Sequence, residues 1–250
     1  MTFDETYDVI VVGYGFAGGA AAIEAADQGA SVLLIEKMPD PGGISICAGG
    51  GVRLANDADE AFAYLNATNG GRTDEDVLRT FADSVADLEG YLRDLAAVSN
   101  ANVVVRDRPG NYPFPGVDTW GFFEVESIPG FDPRIEYPHV RGRLGGPLVF
   151  KVVDDNVRKR AIDVRLNCPA TRLIKGPDGI VCGTTVDDNG VLRNIKARRG
   201  VILASGGFEA DPSMQSQYWQ MAPVTSAVSI GNTGDGIRMA TDIGAATYGN

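Results

Sequence analysis

The chain has one histidine and three cysteines among its 250 residues. Cys47, Cys168 and Cys182 are odd in number and show no C-x-x-C spacing, which argues against a disulfide framework and against a zinc site. Basic residues are scarce as well. Lys and Arg number 22 against 33 Asp and Glu, a net charge of −11, without the clustered cations that a nucleic-acid surface needs. Long hydrophobic runs are also missing. The longest, Val9 to Ile23, is preceded by Asp4, Glu5 and Asp8 where an export signal carries positive charge, and Glu24 closes it. Nothing is long enough to span a bilayer, so the expected compartment is the cytoplasm. No internal repeat or low-complexity tract is present. A composition that is 44% hydrophobic and 22% charged is that of an ordinary globular protein. The length suits one large domain or two small ones.

Glycine, by contrast, is plentiful and ordered. Tyr7-Asp8-Val9-Ile10-Val11-Val12 reads as a buried strand feeding Gly13-Tyr14-Gly15-Phe16-Ala17-Gly18, and a helix is expected over Ala17 to Gln28. A second strand, Ser31 to Ile35, ends at Glu36. Strand, G-x-G-x-x-G turn, helix, strand and acid form the first βαβ unit of a dinucleotide-binding fold. Gly13 permits the tight turn, Gly15 lets the backbone approach a pyrophosphate, and Gly18 lets the helix pack on the strand. The phosphates are expected at the helix N-terminus, where free N–H groups and the dipole favour negative charge. Glu36 is placed to accept hydrogen bonds from a ribose. A glycine-rich turn in some other α/β protein is the bland alternative.

Further along, residues 58–70 and 73–97 read as helices, the second opened by a capping-box-like Thr73 and Asp76. Val77, Phe81, Val85, Leu88 and Leu92 form its apolar stripe, expected to pack in the core. Residues 102–106 are strand-like. From Asp107 to Pro147 the character changes to Pro, Gly and aromatic residues, including Tyr112, Phe114, Trp120, Phe122 and Phe123. This insertion of 107–147 either lines an apolar substrate site or covers the sheet. A helix over Leu148 to Arg160 follows. Strands near 163–166, 171–175, 180–186 and 191–197 then form a small antiparallel meander, and the apolar run Gly200 to Ala204 returns to a parallel sheet.

Three more glycine clusters punctuate the chain. Gly42-Gly43-Ile44-Ser45-Ile46-Cys47-Ala48-Gly49-Gly50-Gly51 follows Glu36-Lys37 and leaves a bare backbone able to lie against a ring or a phosphate. Ala204-Ser205-Gly206-Gly207-Phe208 ends a strand. Gly231-Asn232-Thr233-Gly234-Asp235-Gly236 opens a helix running to about Ala245, where Asp235 is placed to bond a polyhydroxyl chain.

In this order the four clusters resemble the flavoprotein family of succinate dehydrogenase, fumarate reductase, L-aspartate oxidase and the 3-ketosteroid dehydrogenases. That family shows D-V-I-V-V-G-x-G-x-A-G, then E-K with a G-G-x-[ST]-x-x-[AS]-G-G loop, A-T-G-G-F and T-G-D-G. The counterparts here are Asp8 to Gly18, Glu36-Lys37 with Gly42 to Gly51, Ala204 to Phe208 and Thr233 to Gly236. The resemblance runs from end to end of the chain. It implies an α/β, three-layer, Rossmann-like fold of glutathione-reductase type, with a parallel sheet and a small antiparallel β-meander over 163–197. It also implies FAD, held by Gly13, Gly15, Phe16, Ala17, Gly18, Glu36, Lys37, Gly42, Gly43, Ser45, Gly49, Gly50, Gly51, Ala170, Ala204, Ser205, Gly206, Asn232 and Asp235. Covalent members of the family carry a histidine just before the end of the glycine loop. Ser45-Ile46 stands there in this chain, and the only histidine is His139, so the flavin is expected to be non-covalent.

The family's cap domain normally follows the T-G-D-G helix. The chain stops at Asn250, so residues 1–250 are expected to be the N-terminal portion of an FAD-binding domain, with the cap and the catalytic residues beyond it. The glycine loop resembles that of the 3-ketosteroid dehydrogenases, which implies α,β-desaturation of an apolar steroid with an external electron acceptor. Overall resemblance favours the 4,5 bond over the 1,2. Two alternatives stay open, a fumarate- or urocanate-reductase-like enzyme acting on an enoate and a non-catalytic electron-transfer module. A dicarboxylate would need convergent Arg and His, and only His139, Arg141 and Arg143 form such a group.

Overall fold

The computed structural model describes residues 2–140, 144–219, 224–225 and 229–247. It divides into two compact units, residues 1–47 with 153–250, and residues 48–152.

The first unit is built on a six-stranded sheet in the order β6-β2-β1-β9-β8-β7. Strand β1 (Glu5–Val12) runs parallel to β2 (Val32–Ile35) on one side and to β9 (Val191–Leu203) on the other, and β6 (Ile162–Arg165) lies parallel to β2. All four residues of β2 are buried. That is why this part of the chain reads as an unbroken apolar run rather than an alternation. Ile10, Val12, Leu33 and Ile35 share a core cluster with Leu173, Val186, Ile195 and Met239. Fully burying side chains of this size stabilises the fold by about 1.5–3 kcal/mol each. Helix α1 (Phe16–Asp27) packs on the sheet through contacts with β1 and β2. Its last residue, Asp27, accepts a bidentate pair from Arg160 at 2.7 Å for each bond.

Two strand expectations need correcting. The strand near 163–166 belongs to the parallel sheet, not to the meander, which begins at β7 (Ala170–Lys175) and continues through β8 (Val181–Asp188) into β9. The runs 191–197 and 200–204 are one strand of 13 residues. β9 pairs antiparallel with β8 from Val191 to Lys196 and parallel with β1 from Ile195 to Leu203, with a register shift near Arg198. One strand thereby joins the meander to the parallel sheet.

The second unit holds a sheet that sequence patterning did not reveal. Strand β5 (Trp120–Ser127) lies between β3 (Val52–Ala55) and β4 (Asn102–Asp107), antiparallel to both. The segment 107–147 is therefore not structureless. It contributes β5, the single turn α4 (Pro133–Glu136) and the start of α5 (Gly145–Lys159). Helices α2 (Ala58–Thr68) and α3 (Glu75–Val98) pack together, and Ala61, Tyr64, Ala82, Val85 and Trp120 form a core cluster. No helix among the described residues is long and apolar enough to cross a membrane.

The apolar stripe of α3 is rotated from the expected one. Leu78, Ala82 and Val85 are buried, whereas Val77 and Phe81 are each 55% exposed. The expected capping box does not form either. The N-cap is Asp74, without a side-chain cap bond, and the N–H of Thr73 donates to Asn69 Oδ1. This register predicts that Leu78→Ala lowers unfolding stability by about 2–4 kcal/mol, while Val77→Ala stays within about 0.5 kcal/mol of the parent. Urea midpoints measure both, and equal losses would contradict the register.

Candidate functional site

The C-terminal ends of β1, β2 and β9 converge on one cleft in the first unit. The N–H of Gly13 donates to Ile35 O at 2.8 Å, and the N–H of Ala204 donates to Val12 O at 2.8 Å, so three strand ends are tied at one level. Gly13 turns there with φ +102°, and a Cβ on it would stand 2.5 Å from the carbonyl oxygen of Ala204. A Cβ on Gly18 would stand 1.8 Å from the carbonyl oxygen of Gly13. Both positions therefore exclude any side chain. Gly15 is the N-cap of α1, which has no acidic residue in its first turn. The Oγ of Ser45 accepts the Phe16 N–H at 3.1 Å and lies 2.9 Å from where a Gly15 Cβ would be.

Glu36 caps the opposite wall and is 9% exposed. Its Oε2 accepts the N–H of Tyr14 at 2.9 Å and its Oε1 the N–H of Met38 at 2.9 Å. Two amides fix the carboxylate, and each oxygen keeps a lone pair for a further donor. Tyr14 is itself held from behind, its hydroxyl donating to Asp154 Oδ1 at 2.8 Å.

The fourth wall comes from the end of β9 and from α7 (Asp235–Asp242). A Cβ on Gly236 would lie 2.2 Å from Ser205 Oγ, so the serine hydroxyl sits against the first turn of α7. Lys37 Nζ donates to Thr233 Oγ1 and to Asp235 Oδ2, each at 2.6 Å, and Thr233 Oγ1 donates to Asp235 Oδ1 at 3.0 Å. Lys37, at the end of β2, is thereby clamped to the start of α7. Asn232 is buried, and its Nδ2 donates to Glu209 Oε1 at 2.6 Å.

Among the expected residues, Gly13, Gly15, Glu36, Lys37, Gly43, Ser45, Ala170, Ala204, Ser205, Gly206, Asn232 and Asp235 line this cleft. Phe16, Ala17, Gly18 and Gly42 stand in the same unit, in or beside its turn, without lining it. Gly49, Gly50 and Gly51 belong to the second unit. Tyr14, Met38, Cys168, Pro169, Ser229, Gly231 and Met239 line the cleft without having been anticipated. Tyr14, inside the first glycine cluster, and Gly231, inside the fourth, had a sequence signal; the other five had none. His139 is exposed, edge-on to Tyr137 at 6.2 Å, while Arg141 and Arg143 lie outside the described residues.

The cleft fits a dinucleotide. Backbone approaches it where a Cβ cannot stand, a helix N-terminus without acid opens into it, and a buried carboxylate is presented at a strand end. That combination defines a dinucleotide-binding protein of the doubly wound class. A model of the FAD binding domain matches residues 8–250, and the chain belongs to that family, the flavoprotein family of fumarate reductase and succinate dehydrogenase. The dinucleotide is thus FAD.

Similar curated proteins include NADH:fumarate oxidoreductase of Klebsiella pneumoniae (strain 342), 30% identical over 256 residues covering 97% of this chain and 25% of that protein. The 3-oxosteroid 1-dehydrogenase of Mycolicibacterium smegmatis is 30% identical over 314 residues, covering 98% of this chain and 55% of that one. Among solved structures, the 3-ketosteroid delta1-dehydrogenase of Sterolibacterium denitrificans superposes with a TM-score of 0.80 at 28% identity, over 97% of this chain and 55% of that chain. The chain thus spans between a quarter and about half of the length of these relatives.

Two outcomes follow. If Glu36 is the acceptor for ribose hydroxyls, Glu36→Ala should weaken FAD binding by about 1.5–3 kcal/mol, roughly 10- to 150-fold. Titration of apoprotein by flavin fluorescence measures it, and an unchanged affinity would remove Glu36 from the ribose position. Second, burial pushes the Cys168 thiol up to about 11. Because the thiolate is the nucleophile, Cys168 should resist iodoacetamide at neutral pH until the chain unfolds; fast labelling of the native chain would contradict its buried place in the cleft wall.

Proposed function

We propose that this chain is the flavin-anchoring part of an oxidoreductase acting on CH–CH bonds, and that its substrate is a 3-ketosteroid. The observation that carries the first half is the cleft itself, a Cβ-free turn facing a buried, doubly capped carboxylate. Bound FAD supplies two-electron oxidation, accepting a hydride from the carbon beside the one that loses a proton. The chain's own residues bind and orient. The N-terminus of α1 would face the pyrophosphate, Glu36 would hold the ribose, and Asn232 and Asp235 would meet the cofactor's polyhydroxyl chain. The clamp of Lys37 on Asp235 keeps the start of α7 in place. With Ser45-Ile46 in the glycine loop and no histidine, the cofactor is held without a covalent bond, and an external acceptor reoxidises it.

The glycine loop and the steroid-dehydrogenating relatives support the steroid reading. The relatives' names favour the 1,2 bond, whereas overall sequence resemblance favours the 4,5 bond, and the choice of substrate separates them. A second reading, reduction of an enoate, draws support from the fumarate oxidoreductase, which matches at the same 30% identity.

The test is flavin bleaching, under anaerobic conditions, in the FAD-loaded oxidoreductase of which this chain is proposed to be the flavin-anchoring part. A saturated 3-ketosteroid that bleaches the flavin and yields a 4-ene reports 4,5-desaturation. A 4-ene-3-ketosteroid that bleaches it reports 1,2-desaturation. Reoxidation of reduced flavin by fumarate, with no bleaching by either steroid, would replace the steroid reading with the enoate one. No response to any of them would leave a flavin-binding module without this chemistry.

A further inference from the structure

The second unit contains a hollow that shares no residue with the dinucleotide cleft. It is open and lies where α2, α3 and the three-stranded sheet meet the loop 109–112. Arg53, Tyr64, Phe81, Tyr112 and Trp120 are among its walls.

Arg53 is unusual in a chain so rich in carboxylates. Its guanidinium carbon lies 4.7 Å from the ring centroid of Phe122 and 5.4 Å from that of Trp120. Its only hydrogen bond among the described residues is from Nη2 to the carbonyl oxygen of Pro109, at 3.3 Å, and no carboxylate there pairs with it. Neighbouring arginines do find acids. Arg79 pairs with Asp59, and Arg106 with Glu124 and Glu126. Burial holds Arg53 below its ordinary value, the charge of Arg108 acts in the same direction, and Tyr64 opposes both.

A second observation is independent of the first. Trp120 is 4% exposed, and its indole Nε1 is buried with no hydrogen-bond partner. An orphaned buried donor is costly and rare. The hydroxyl oxygen of Tyr64, edge-on to Trp120 at 5.6 Å, accepts the Tyr112 N–H at 3.1 Å, which leaves its own proton to donate. The Arg53 guanidinium, with one long hydrogen bond, and the Tyr64 hydroxyl thus keep donor capacity beside one hollow, and the partnerless Trp120 indole belongs to a residue of its wall. Around them stand apolar surfaces open to solvent, Phe81 at 55% exposure and Tyr112 at 59%.

We propose that this hollow binds a small planar carboxylate with an unsaturated or aromatic body, its carboxylate on the free edge of Arg53 and its body against the exposed rings. A guanidinium edge and a carboxylate match in a bidentate way. The stacked rings hold the guanidinium in one orientation, so little freedom is lost on pairing. The flat apolar walls select against inorganic anions. The site stands apart from the steroid reading, because its evidence lies wholly in residues 53–122.

The probe is trans-cinnamate, with the neutral cinnamamide as its counterpart, added to the full FAD-loaded chain. The readout is the indole N–H resonance of Trp120 in proton–nitrogen correlation spectra. The chain has only two tryptophans, so W219F assigns the signal. Cinnamate should shift the Trp120 indole saturably, and cinnamamide should bind at least about tenfold more weakly, as expected for loss of a charged hydrogen-bond partner. R53Q should abolish the preference for the acid over the amide, and R53K should restore part of it. Equal binding of acid and amide would overturn the proposal, as would an indole that moves only for Trp219 or an unchanged preference in R53Q. Inorganic phosphate shifting Trp120 as strongly as cinnamate would overturn the assigned ligand class. Should R53Q fail to fold, the comparison of acid with amide in the parent chain still decides. Flavin bleaching plays no part in this readout, so its failure and that of the steroid reading are distinguishable.

Discussion

The approach of α1 to the end of β1 governs the rest of the first unit. A Cβ at Gly18 would fall 1.8 Å from the carbonyl oxygen of Gly13, and one at Gly13 would fall 2.5 Å from that of Ala204. Because neither exists, a helix, its own feeding strand and the returning strand β9 meet at one point. That meeting forms the cleft at a topological switch point, where strands leave β1 on both sides and their carboxyl ends diverge. Glu36 and Ser205 inherit their positions from it, one at the end of β2 and the other just past the end of β9.

Electrostatics then has to work locally. The chain carries a net charge of −11, so long-range attraction does not draw in a pyrophosphate-bearing cofactor. Nor is Lys37 a free cation for it, being clamped to Asp235 at 2.6 Å. What favours phosphate is the start of α1, where the first-turn N–H groups have no intrahelical acceptor and the Phe16 N–H meets a neutral hydroxyl, Ser45 Oγ, rather than an acid. Asp235, in contrast, sits in the first turn of α7, where a negative charge complements the dipole and Lys37 offsets it. The two helix N-termini thus differ in charge, α1 carrying no acid in its first turn and α7 carrying Asp235 paired with Lys37.

Much of this was legible in sequence because its signals are local. The first βαβ unit is a strand, a turn, a helix and an acid in one short stretch, and Glu36 followed from its spacing alone. The partners of that carboxylate were not legible, because they are the backbone amides of Tyr14 and Met38, and backbone donors have no residue signature. Strand β5 was hidden by its Pro- and Gly-rich flanks. Yet Trp120, Phe123 and Val125 are buried while Glu124 is half-buried, a partial alternation that a run of aromatics obscured. The continuity of β9 was masked by Arg198, Arg199 and Gly200, which look like a break until the register shift beside β1 absorbs them. On α3, periodicity allowed two neighbouring stripes. Packing against α2 chose the one through Leu78, which the pattern alone did not distinguish from Val77.

The central claim is that the cleft holds the adenylate half of FAD against Glu36. A crystal structure of the chain grown with FAD tests it most directly. The account predicts ribose hydroxyls within hydrogen-bond distance of the Glu36 carboxylate and the pyrophosphate at the N-terminus of α1. An adenosine bound elsewhere on the molecule, with Glu36 still contacted only by the amides of Tyr14 and Met38, would contradict it.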